Sequence, residues 1–480
     1  MFQWLLDVRC SENPWGRWES SISAFLLFLS GFFKESLVHT HIVGIGGSGM
    51  SSIATLLLER GDQVSGCDRA ANAATTRLAD HGVSVEIGHS ASHVQGIDRL
   101  LVTSALPLDH IEIVAAHQAA IPVLTRHDLW REWSAERPTL AVTGTHGKTT
   151  TTAMLAVIFK HCGYTPGFLI GAEVPALGAS AAWGQGPLVL EADEYARTFL
   201  ALSPAIGIIT NLDWDHVDIY PSQAEYDAAF REFAIKPSLQ HLVLCGDDLG
   251  TQRVLADVPA IRCGLTEHND WRATAVQATP DGMLFELISP AAEPMTVQLA
   301  VSGEHNVRNA LLALAAAHSY GIDLAVAVAA IAHYQGAARR FEPKGQVGAV
   351  RVFDDYAHHP VEIRATLAAA RKRFPAQRIV AYFQPHTFSR LEAFLADFQT
   401  AFEQADLVRI GAVYGARETS KGDPTAQIVA GMQHPNALAV GDLDQAFEQL
   451  LRDVQAGDVV LTLGAGDGVV VGERLVAALR

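Results

Sequence analysis

A loop of nine residues carries side chains that can bind a phosphate chain. It runs from Thr143 to Thr151 (TGTHGKTTT), after the apolar residues 140–142 and before a helix-like run from Thr152 to Phe159. A glycine loop between a strand and a helix aims unpaired backbone N–H groups and the helix dipole at a phosphate. Lys148 can reach the outer phosphates, and Thr149 offers a hydroxyl to Mg²⁺. The stretch therefore predicts a binding loop for a nucleoside triphosphate.

One position departs from the common Walker pattern, which places a glycine where this chain has Val142. Gly147 is the glycine that lets the backbone approach a ligand closely. A chance Gly-Lys-Thr sequence is the alternative interpretation, and the strand and helix signals on both sides count against it. The predicted phosphate-binding residues are Gly144, Thr145, His146, Gly147, Lys148, Thr149 and Thr150.

Two further apolar strands end in acidic and imidazole groups. Residues 188–190 run into Glu191–Glu194 (EADE), and residues 206–210 run into Asn211–His216 (NLDWDH). In open α/β sheets the ligand crevice lies beyond the carboxyl ends of the strands, so these side chains should converge near the phosphates. Carboxylate oxygens with a nearby imidazole are reasonable direct or indirect partners of Mg²⁺. The alternative is a pair of solvated acidic loops.

Another glycine-rich loop, which we call the first glycine loop, lies earlier in the chain. Residues 42–43 form a short predicted strand, followed by Gly44–Gly49 (GIGGSG), a helical run from Met50 to Glu59, and a strand that ends at Asp68. This is the fingerprint of dinucleotide folds, in which the acidic residue meets a ribose hydroxyl. It predicts a nucleotide-like diphosphate at the start of a helix and does not identify the nucleotide.

Asparagine side chains stand near the start of a later helix. In Ser302–Ala310 (SGEHNVRNA), Asn306 and Asn309 lie on one helix face. Physical chemistry alone favours ordinary helix capping for them. After this helix, apolar strands alternate with polar loops such as Asp354–Pro360 and Gln384–Arg390, which predicts another parallel sheet. The adjacent imidazoles in the first of these loops point apart without a third ligand, so no metal is predicted there.

Length and composition place these elements in a soluble α/β protein. The 480 residues, 49% of them apolar, suffice for about three domains. We predict a Rossmann-like N-terminal domain, a central domain with a parallel sheet of the P-loop ATPase type, and a Rossmann-like C-terminal domain, at residues 38–137, 138–337 and 338–480. The net charge of −17 argues against nucleic-acid binding. Five scattered cysteines without paired metal spacing indicate reduced thiols in a cytoplasmic protein.

Residues 1–37 fit none of these elements. Their apolar run at residues 23–29 is too short to cross a bilayer, which takes about 20 residues, so no membrane span is predicted. Acidic residues interspersed among the basic ones argue against a signal peptide. We assign this segment no function and expect it to be dispensable for activity.

Taken together, these motifs resemble those of the Mur ligases, the ATP-dependent amide-forming enzymes of peptidoglycan synthesis, and most closely the members that add L-alanine. The similarity runs from about His41 to the carboxyl end. The motifs that carry it are GIGGSGM (Gly44–Met50), GTHGKTT (Gly144–Thr150), EADE, NLDWDH, HNVRNA (His305–Ala310), RRFE (Arg339–Glu342), DDYAHHP (Asp354–Pro360), QPHTFSR (Gln384–Arg390) and LGAGD (Leu463–Asp467).

The resemblance implies a UDP-sugar, and not NAD, at the first glycine loop. It implies ATP with Mg²⁺ at the loop Thr143–Thr151, which we call the phosphate loop. The implied UDP-sugar contacts are Gly44, Gly46, Gly47, Ser48, Gly49, Met50, Asp68 and Ser104. To the phosphate loop it adds the ATP contacts Asn306, Asn309, Arg340 and Asp355. The implied metal ligands are Thr149, Glu191 and His216. The implied catalytic residues are Lys148, Glu191, His216 and Arg340.

The resemblance also implies the substrates and the reaction. UDP-N-acetylmuramate, L-alanine and ATP are the expected small-molecule partners, and the carboxylate is expected to be activated as an acyl phosphate. Many relatives carry a modified lysine on the helix after NLDWDH, but Phe230 occupies that place here, so no such modification is predicted. A monomer or weak dimer is expected. The residues implied to hold the substrate carboxyl end or the amino acid are Glu194, His358, His386 and Arg390.

Three other functions remain open from the sequence. Close relatives attach a recycled murein tripeptide, instead of L-alanine, to the same nucleotide. An NAD-linked oxidoreductase would use the loop at Gly44 with Asp68, but it would leave the loop at Lys148 without a role. A nucleotide-regulated binding protein would keep ATP binding, and the acidic and imidazole groups at the strand ends count against it.

Overall fold

The computed structural model describes residues 38–103, 106–279, 281–416, 418 and 424–480. The N-terminal segment 1–37 and the predicted contact at Ser104 lie outside these residues, as does the side chain of Ser48. Among the described helices, none is both long and apolar enough to cross a membrane.

The first sheet has five parallel strands in the order β3-β2-β1-β4-β5, as in a Rossmann-like fold. Its strands are β1 (His39–Val43), β2 (Gln63–Asp68), β3 (Ser84–Ile87), β4 (Arg99–Leu101) and β5 (Val123–Leu124). Its helices are α1 (Ser48–Arg60), α2 (Ala73–Asp80), α3 (Ile111–Gln118) and α4 (Arg126–Glu136), with a 3₁₀ segment at Ala91–Val94.

The second sheet has ten strands in the order β15-β14-β13-β12-β11-β10-β6-β9-β7-β8. Its strands are β6 (Thr139–Thr143), β7 (Gly167–Val174), β8 (Ala179–Ala182), β9 (Leu188–Glu191), β10 (Ile206–Ile209), β11 (His241–Cys245), β12 (Ile261–Gly264), β13 (Trp271–Thr279), β14 (Gly282–Ser289) and β15 (Ala292–Leu299). Its helices are α5 (Lys148–His161), α6 (Gln223–Ala234), α7 (Leu249–Leu255), α8 (Glu304–Tyr320) and α9 (Leu324–Ile331), with a 3₁₀ segment at Tyr195–Ala201. Antiparallel pairs extend both edges of the predicted parallel sheet.

The third sheet has six strands in the order β16-β17-β21-β18-β19-β20, of which only β16 runs antiparallel to its neighbour. Its strands are β16 (Glu342–Val347), β17 (Val350–Asp355), β18 (Ile379–Phe383), β19 (Leu407–Gly411), β20 (Ala437–Gly441) and β21 (Val459–Leu463). Its helices are α10 (Pro360–Arg373), α11 (Phe388–Ala393), α12 (Leu395–Gln399), α13 (Thr425–Gly431), α14 (Leu443–Asp453) and α15 (Val469–Leu479). The predicted three-part α/β architecture is confirmed.

The helix after the phosphate loop is buried on all sides. Residues 149–159 of α5 are buried, and they include the four threonines that follow Lys148. The helix begins at Lys148, four residues before the predicted start, because Gly147 adopts the left-handed conformation at its N-cap (φ 80°). A helix that is buried all round lies inside the core of a large domain. Its first turn is therefore held rigidly at the end of β6.

The first two sheets share one apolar cluster, whereas the third sheet has apolar clusters of its own. Trp133 of α4 packs against Trp183 with ring centroids 5.2 Å apart. The Arg137 guanidinium also lies over the ring of Trp183, 4.3 Å from its centroid. Continuous apolar burial makes the regions of the first two sheets one packed body. The third region, which contains the third sheet, joins them mainly through polar contacts.

Phe230 fills part of this shared core. It is fully buried on α6, and its ring centroid lies 5.1 Å from that of Phe199 and 4.9 Å from that of Tyr226. Phe230→Ala should lower the free energy of unfolding of the middle region by about 3–5 kcal/mol, since it removes a buried ring and leaves a cavity. Guanidinium unfolding measures this loss. Phe230→Leu is the matched control and should cost less, and equal stability of the two variants would contradict this packing.

Candidate active site

The carboxyl ends of the second sheet face the third sheet across a cavity of about 320 Å³. This volume lies in the usual range for small-molecule sites. Seven of the residues predicted for ATP line it: His146, Gly147, Thr150, Asn306, Asn309, Arg340 and Asp355. Motifs that lie more than 200 residues apart in the chain therefore meet at one place.

Gly147 and Asn309 pack against each other in this cavity. Gly147 has a φ of 80°, and a Cβ atom at this position would lie 2.7 Å from Asn309 Oδ1. Asn306 Nδ2 donates to Ser302 O at 2.7 Å, and Asn309 Nδ2 donates to Asn306 Oδ1 at 3.3 Å. The N-cap of α8 is Gly303, without a side-chain cap. The capping interpretation of these asparagines is therefore wrong, and their amides face the cavity instead.

Lys148 is a buried cation at the mouth of the phosphate loop. Its Nζ lies 2.8 Å from Glu194 Oε2, and it donates to the carbonyl oxygens of Gly144 at 2.6 Å and Thr145 at 3.0 Å. Burial by itself lowers the pKa of Lys148, but Glu194 and the nearby Asp193 outweigh it and raise the pKa. The ammonium group therefore stays charged in its buried position.

Glu191 and Thr149 form a second polar group beside the loop. Thr149 Oγ1 donates to Glu191 Oε1 at 3.0 Å, and the Gly171 backbone N–H donates to Glu191 Oε2 at 2.6 Å. Arg340 Nη2, from the third region, donates to Thr149 Oγ1 at 3.1 Å. A hydroxyl and a carboxylate side by side supply the hard oxygen donors that Mg²⁺ requires.

His216 lies beside Glu194, whose carboxylate also contacts Lys148. Its Nε2 is 3.3 Å from Glu194 Oε1, and ligand atoms of Asp193, Glu194 and His216 lie within 4.8 Å of one another. Burial lowers the pKa of His216, but Asp215 and Glu194 outweigh it and raise the pKa to about 9. The ring must therefore lose a proton before it can ligate a cation through Nε2. The oxygen-rich donor set fits Mg²⁺.

A buried ion pair connects this group to the third region. Arg390 Nη2 lies 3.0 Å from Asp215 Oδ1, and both side chains are less than one-tenth exposed. Arg390 Nη1 lies 3.2 Å from His386 Nδ1. Burial and the charge of Arg390 lower the pKa of His386 to about 4, so its ring accepts this hydrogen bond as a neutral imidazole. His358 adds a third ring here, 6.0 Å from that of His386.

Glu362 at the start of α10 forms a second bridge between the regions. Its Oε1 lies 3.1 Å from His146 Nδ1, and its Oε2 accepts the backbone N–H groups of His358 at 3.0 Å and His359 at 3.2 Å. Burial lowers the pKa of His146, but Glu362 and Asp213 outweigh it and raise the pKa to about 9. The loop imidazole is therefore held as a cation against a helix of the third region.

The first glycine loop turns sharply between β1 and α1. Gly44 has a φ of 76°, and the Gly46 backbone N–H donates to Asp68 Oδ2 at 2.8 Å. Asp68 thus holds the loop, and its predicted contact with a ribose stays a prediction. The guanidinium of Arg126 lies directly against Gly49. The loop therefore has a nearby cation that can face a diphosphate.

Comparison with known proteins relates all three regions of the chain to one family. Three family models match the chain. They are described as "Mur ligase family, catalytic domain" (residues 39–137), "Mur ligase middle domain" (residues 142–317) and "Mur ligase, glutamate ligase domain" (residues 339–466). The chain belongs to the Mur ligase family. A UDP-N-acetylmuramate–L-alanine ligase of Roseiflexus castenholzii is 50% identical over 465 residues, which cover 92% of this chain and 98% of that relative.

Solved structures of Mur ligases share the fold. The UDP-N-acetylmuramate–alanine ligase of Thermotoga maritima has a TM-score of 0.79 and 29% identity, covering 92% of this chain and 98% of that one. A murein peptide ligase of Psychrobacter arcticus has a TM-score of 0.69 and 26% identity, with the same coverage of both chains. The predicted family and fold class are confirmed.

The structure of this Mur ligase adds site residues that the motifs did not indicate. Arg126 starts a helix in the first region and lies against the first glycine loop. Glu362 lies in the first turn of α10 and Tyr334 follows α9, and both line the cavity. Glu362 follows the DDYAHHP motif by two residues, so its position at a helix start was the available signal. Nothing in the local sequence distinguishes Tyr334 or Arg126.

The His146–Glu362 bridge of this Mur ligase should depend on pH. The folded-state pKa of His146 is about 9, above the ordinary 6.5, so its stabilising contribution is fully present below pH 6.5 and is lost as the pH rises through 9. The difference in thermal midpoint between the wild type and His146→Gln should therefore shrink over this range. His241→Gln, at an exposed position, is the control. A constant difference across the range would contradict the charged bridge.

Proposed function

We propose that this Mur ligase joins L-alanine to the carboxylate of UDP-N-acetylmuramate in peptidoglycan precursor synthesis, with cleavage of ATP to ADP and phosphate. The observation that carries the proposal is the 3.1 Å hydrogen bond from Arg340 Nη2 to Thr149 Oγ1. It brings a cation of the third region against the phosphate loop, next to Lys148. Two cations beside a phosphate loop suit phosphoryl transfer, in which positioning and charge stabilisation supply most of the catalysis.

Activation of the carboxylate comes first in this chemistry. A carboxylate is a poor acylating agent, because attack by an amine would have to expel oxide. Transfer of the γ-phosphoryl group from ATP to the carboxylate oxygen makes an acyl phosphate. The amine of L-alanine then attacks the acyl carbon, phosphate leaves with the C–O bonding pair, and the amine loses a proton. Lys148 and Arg340 neutralise the charge that builds on the transferred group.

We assign Thr149, Glu191 and His216 to the Mg²⁺ site, and Glu191 and His216 also count among the catalytic residues. The metal would neutralise phosphate oxygens when bound. Thr149 and Glu191 already lie 3.0 Å apart beside the loop, and they supply hard oxygen donors. The proton on His216 is held by Asp215 and Glu194, and it would be displaced on metal binding.

We assign the UDP-sugar to the first glycine loop. Arg126 supports this assignment, because it places a cation against Gly49 at the start of α1. The helix dipole adds favourable potential for a diphosphate at this end. The remaining proposed contacts are Gly44, Gly46, Gly47, Ser48, Met50, Asp68 and Ser104.

We assign the L-alanine end of the site to the buried group around Arg390. Its guanidinium is fixed by Asp215 and lies next to the neutral His386, and a guanidinium pairs well with a carboxylate. His358 and Glu194 border the same space. The contacts between the second and third regions are mainly polar, so the third region can close over the substrates and exclude water from the acyl phosphate.

The predicted domain boundaries become a proposal as well. Units at residues 38–137, 138–337 and 338–480 each contain one of the three sheets. We also propose that the protein acts in the cytoplasm, where ATP and nucleotide sugars are available, as a monomer or weak dimer. The four described cysteines are free thiols, which is consistent with that compartment.

Lys148→Ala should lower kcat/KM by more than tenfold, because it removes charge stabilisation worth at least about 1.4 kcal/mol in the transition state. ADP release with UDP-N-acetylmuramate and L-alanine measures the change. Lys160→Ala is the matched control, because Lys160 lies on the same helix with its amine on the surface. A loss of less than tenfold for Lys148→Ala would exclude the proposed role.

The choice of acceptor can be tested with a panel of L-alanine, glycine, L-serine and the tripeptide L-Ala-γ-D-Glu-diaminopimelate. We expect the highest kcat/KM for L-alanine, a reduction of roughly 10–200-fold for the amino acids of similar size, and negligible turnover of the tripeptide. Faster use of the tripeptide would make this chain a murein peptide ligase like the relative from Psychrobacter arcticus. The mechanism at the phosphate loop would be the same in that case.

A further inference from the structure

A second group of ligand-type side chains lies in the first region, outside the cavity that faces the third sheet. It comprises His41 on β1, Cys67 on β2, His93 in the 3₁₀ segment and Glu112 on α3. One ligating atom from each residue lies within 4.8 Å of the corresponding atoms of the others. We call these four residues the His-Cys-Glu cluster. It joins β1 and β2 of the first sheet to the elements that cover that face of the sheet.

Three separations within the His-Cys-Glu cluster, all to the carboxylate of Glu112, are close to the edges of a metal coordination tetrahedron. Cys67 Sγ lies 3.2 Å from Glu112 Oε1, His93 Nδ1 lies 3.1 Å from the same oxygen, and His41 Nε2 lies 3.7 Å from Glu112 Oε2. Zinc–ligand bonds of about 2.0–2.3 Å in tetrahedral geometry place ligand atoms about 3.3–3.8 Å apart. Small side-chain adjustments would therefore bring all four atoms onto one ion.

The carboxylate of the cluster lacks a strong counter-charge. Glu112 is fully buried, and its ion-pair partners among the described residues are the imidazoles of His41, His89 and His93. No lysine or arginine is among these partners. Burial of an ionised carboxylate is costly unless a cation or several hydrogen bonds compensate it. Hydrogen bonds from the Ser90 backbone N–H and the Cys67 thiol offset part of this cost, and a divalent cation at the centre of the cluster would add a full counter-charge.

His41 provides an independent indication of a ligand. Its side chain is 4% exposed, and its buried Nε2 has no hydrogen-bond partner. Its other ring nitrogen, Nδ1, lies 2.9 Å from Ser65 Oγ, and the same hydroxyl lies 2.9 Å from His39 Nε2. Metal-bound histidines commonly have the second nitrogen fixed in this way by an outer partner. The ring is therefore oriented with a free nitrogen aimed into the cluster.

The donor types select the class of metal. Two imidazoles, one thiolate and one carboxylate suit a borderline-soft ion such as Zn²⁺, whereas Mg²⁺ prefers oxygen donors throughout. His89 lies at the rim, with its side chain 27% exposed and its Nδ1 3.3 Å from Cys67 Sγ. The partly exposed ring of His89 could bind a metal ion first and pass it from solvent to the buried ligand atoms.

We propose that the His-Cys-Glu cluster binds one Zn²⁺-class ion through His41, Cys67, His93 and Glu112. The Cys67 thiol loses its proton to solvent when the sulfur–metal bond forms. The ion would be structural, because four protein ligands close the tetrahedron and leave no position for substrate. The Cys67 carbonyl accepts the backbone N–H groups of Gly44 at 2.8 Å and Ile45 at 3.1 Å. The ion would therefore anchor the strand end that supports the first glycine loop.

Zinc binding by the full chain tests the proposal. The metal-free protein is dialysed against Zn²⁺ with Mg²⁺ in large excess, so that oxygen-rich sites stay occupied by Mg²⁺, and bound zinc is counted by elemental analysis. We expect one Zn²⁺ per chain and at least a tenfold weaker affinity in Cys67→Ser and in His93→Gln. Cys162→Ser, which changes a thiol outside the cluster, should bind as the wild type does.

Cobalt substitution gives a readout that does not depend on any variant folding. The wild type loaded with Co²⁺ should show a thiolate-to-cobalt charge-transfer absorption, because Cys67 would be a direct ligand. The group of Asp193, Glu194 and His216 contains no sulfur and cannot produce that band. Absence of stoichiometric Zn²⁺ binding by the wild type, absence of the thiolate band, or unchanged Zn²⁺ binding in both Cys67→Ser and His93→Gln would each overturn the proposal.

Discussion

The site depends on one constraint: charges buried at the carboxyl ends of the second sheet must each face an opposite charge. They do so as a continuous chain, in which Lys148 contacts Glu194 at 2.8 Å and Glu194 contacts His216 at 3.3 Å. His216 is next to Asp215 in sequence, and Asp215 contacts Arg390 of the third region at 3.0 Å. Removal of one member would leave its neighbour buried and unpaired, which is costly. The phosphate loop and the proposed amino-acid site are thus connected by a continuous series of charged groups.

The two junctions between the regions differ because they have different tasks. At the junction between the first and second regions, Trp133 and Arg137 pack against Trp183. This packing fixes the first glycine loop relative to the second sheet. The second junction is formed by charged groups such as Glu362, which lines the cavity, and Arg390, which pairs with Asp215. Polar groups can exchange one partner for another at modest cost, whereas an apolar interface cannot open without exposing its surface to water. A ligase that admits charged substrates therefore needs the polar junction at the cavity.

Much of the fold and of the site could be predicted because the informative residues follow strands directly. A parallel sheet gathers all its carboxyl ends on one edge, so Glu191, His216 and the phosphate loop had to meet. The antiparallel edges of the second sheet carry no comparable signal, and they were not predicted. The role of Asn309 also depends on a long-range contact, since only the folded chain shows its amide against Gly147. Helix capping was the simpler local interpretation, and it was wrong.

The His-Cys-Glu cluster shows where linear spacing stops being informative. Cysteine spacing indicated no metal site, because its ligands come from four separate elements. The parallel register of β1 and β2 pairs His41 with Ser65 and Val43 with Cys67, and the side chains of alternate residues share one face of the sheet. This register places the imidazole, the hydroxyl that orients it and the thiol together, beneath the helix that carries Glu112. The same strand ends also hold the first glycine loop, through the Cys67 carbonyl and the Asp68 carboxylate. Substitutions at the cluster can therefore alter the conformation of the first glycine loop without contacting it.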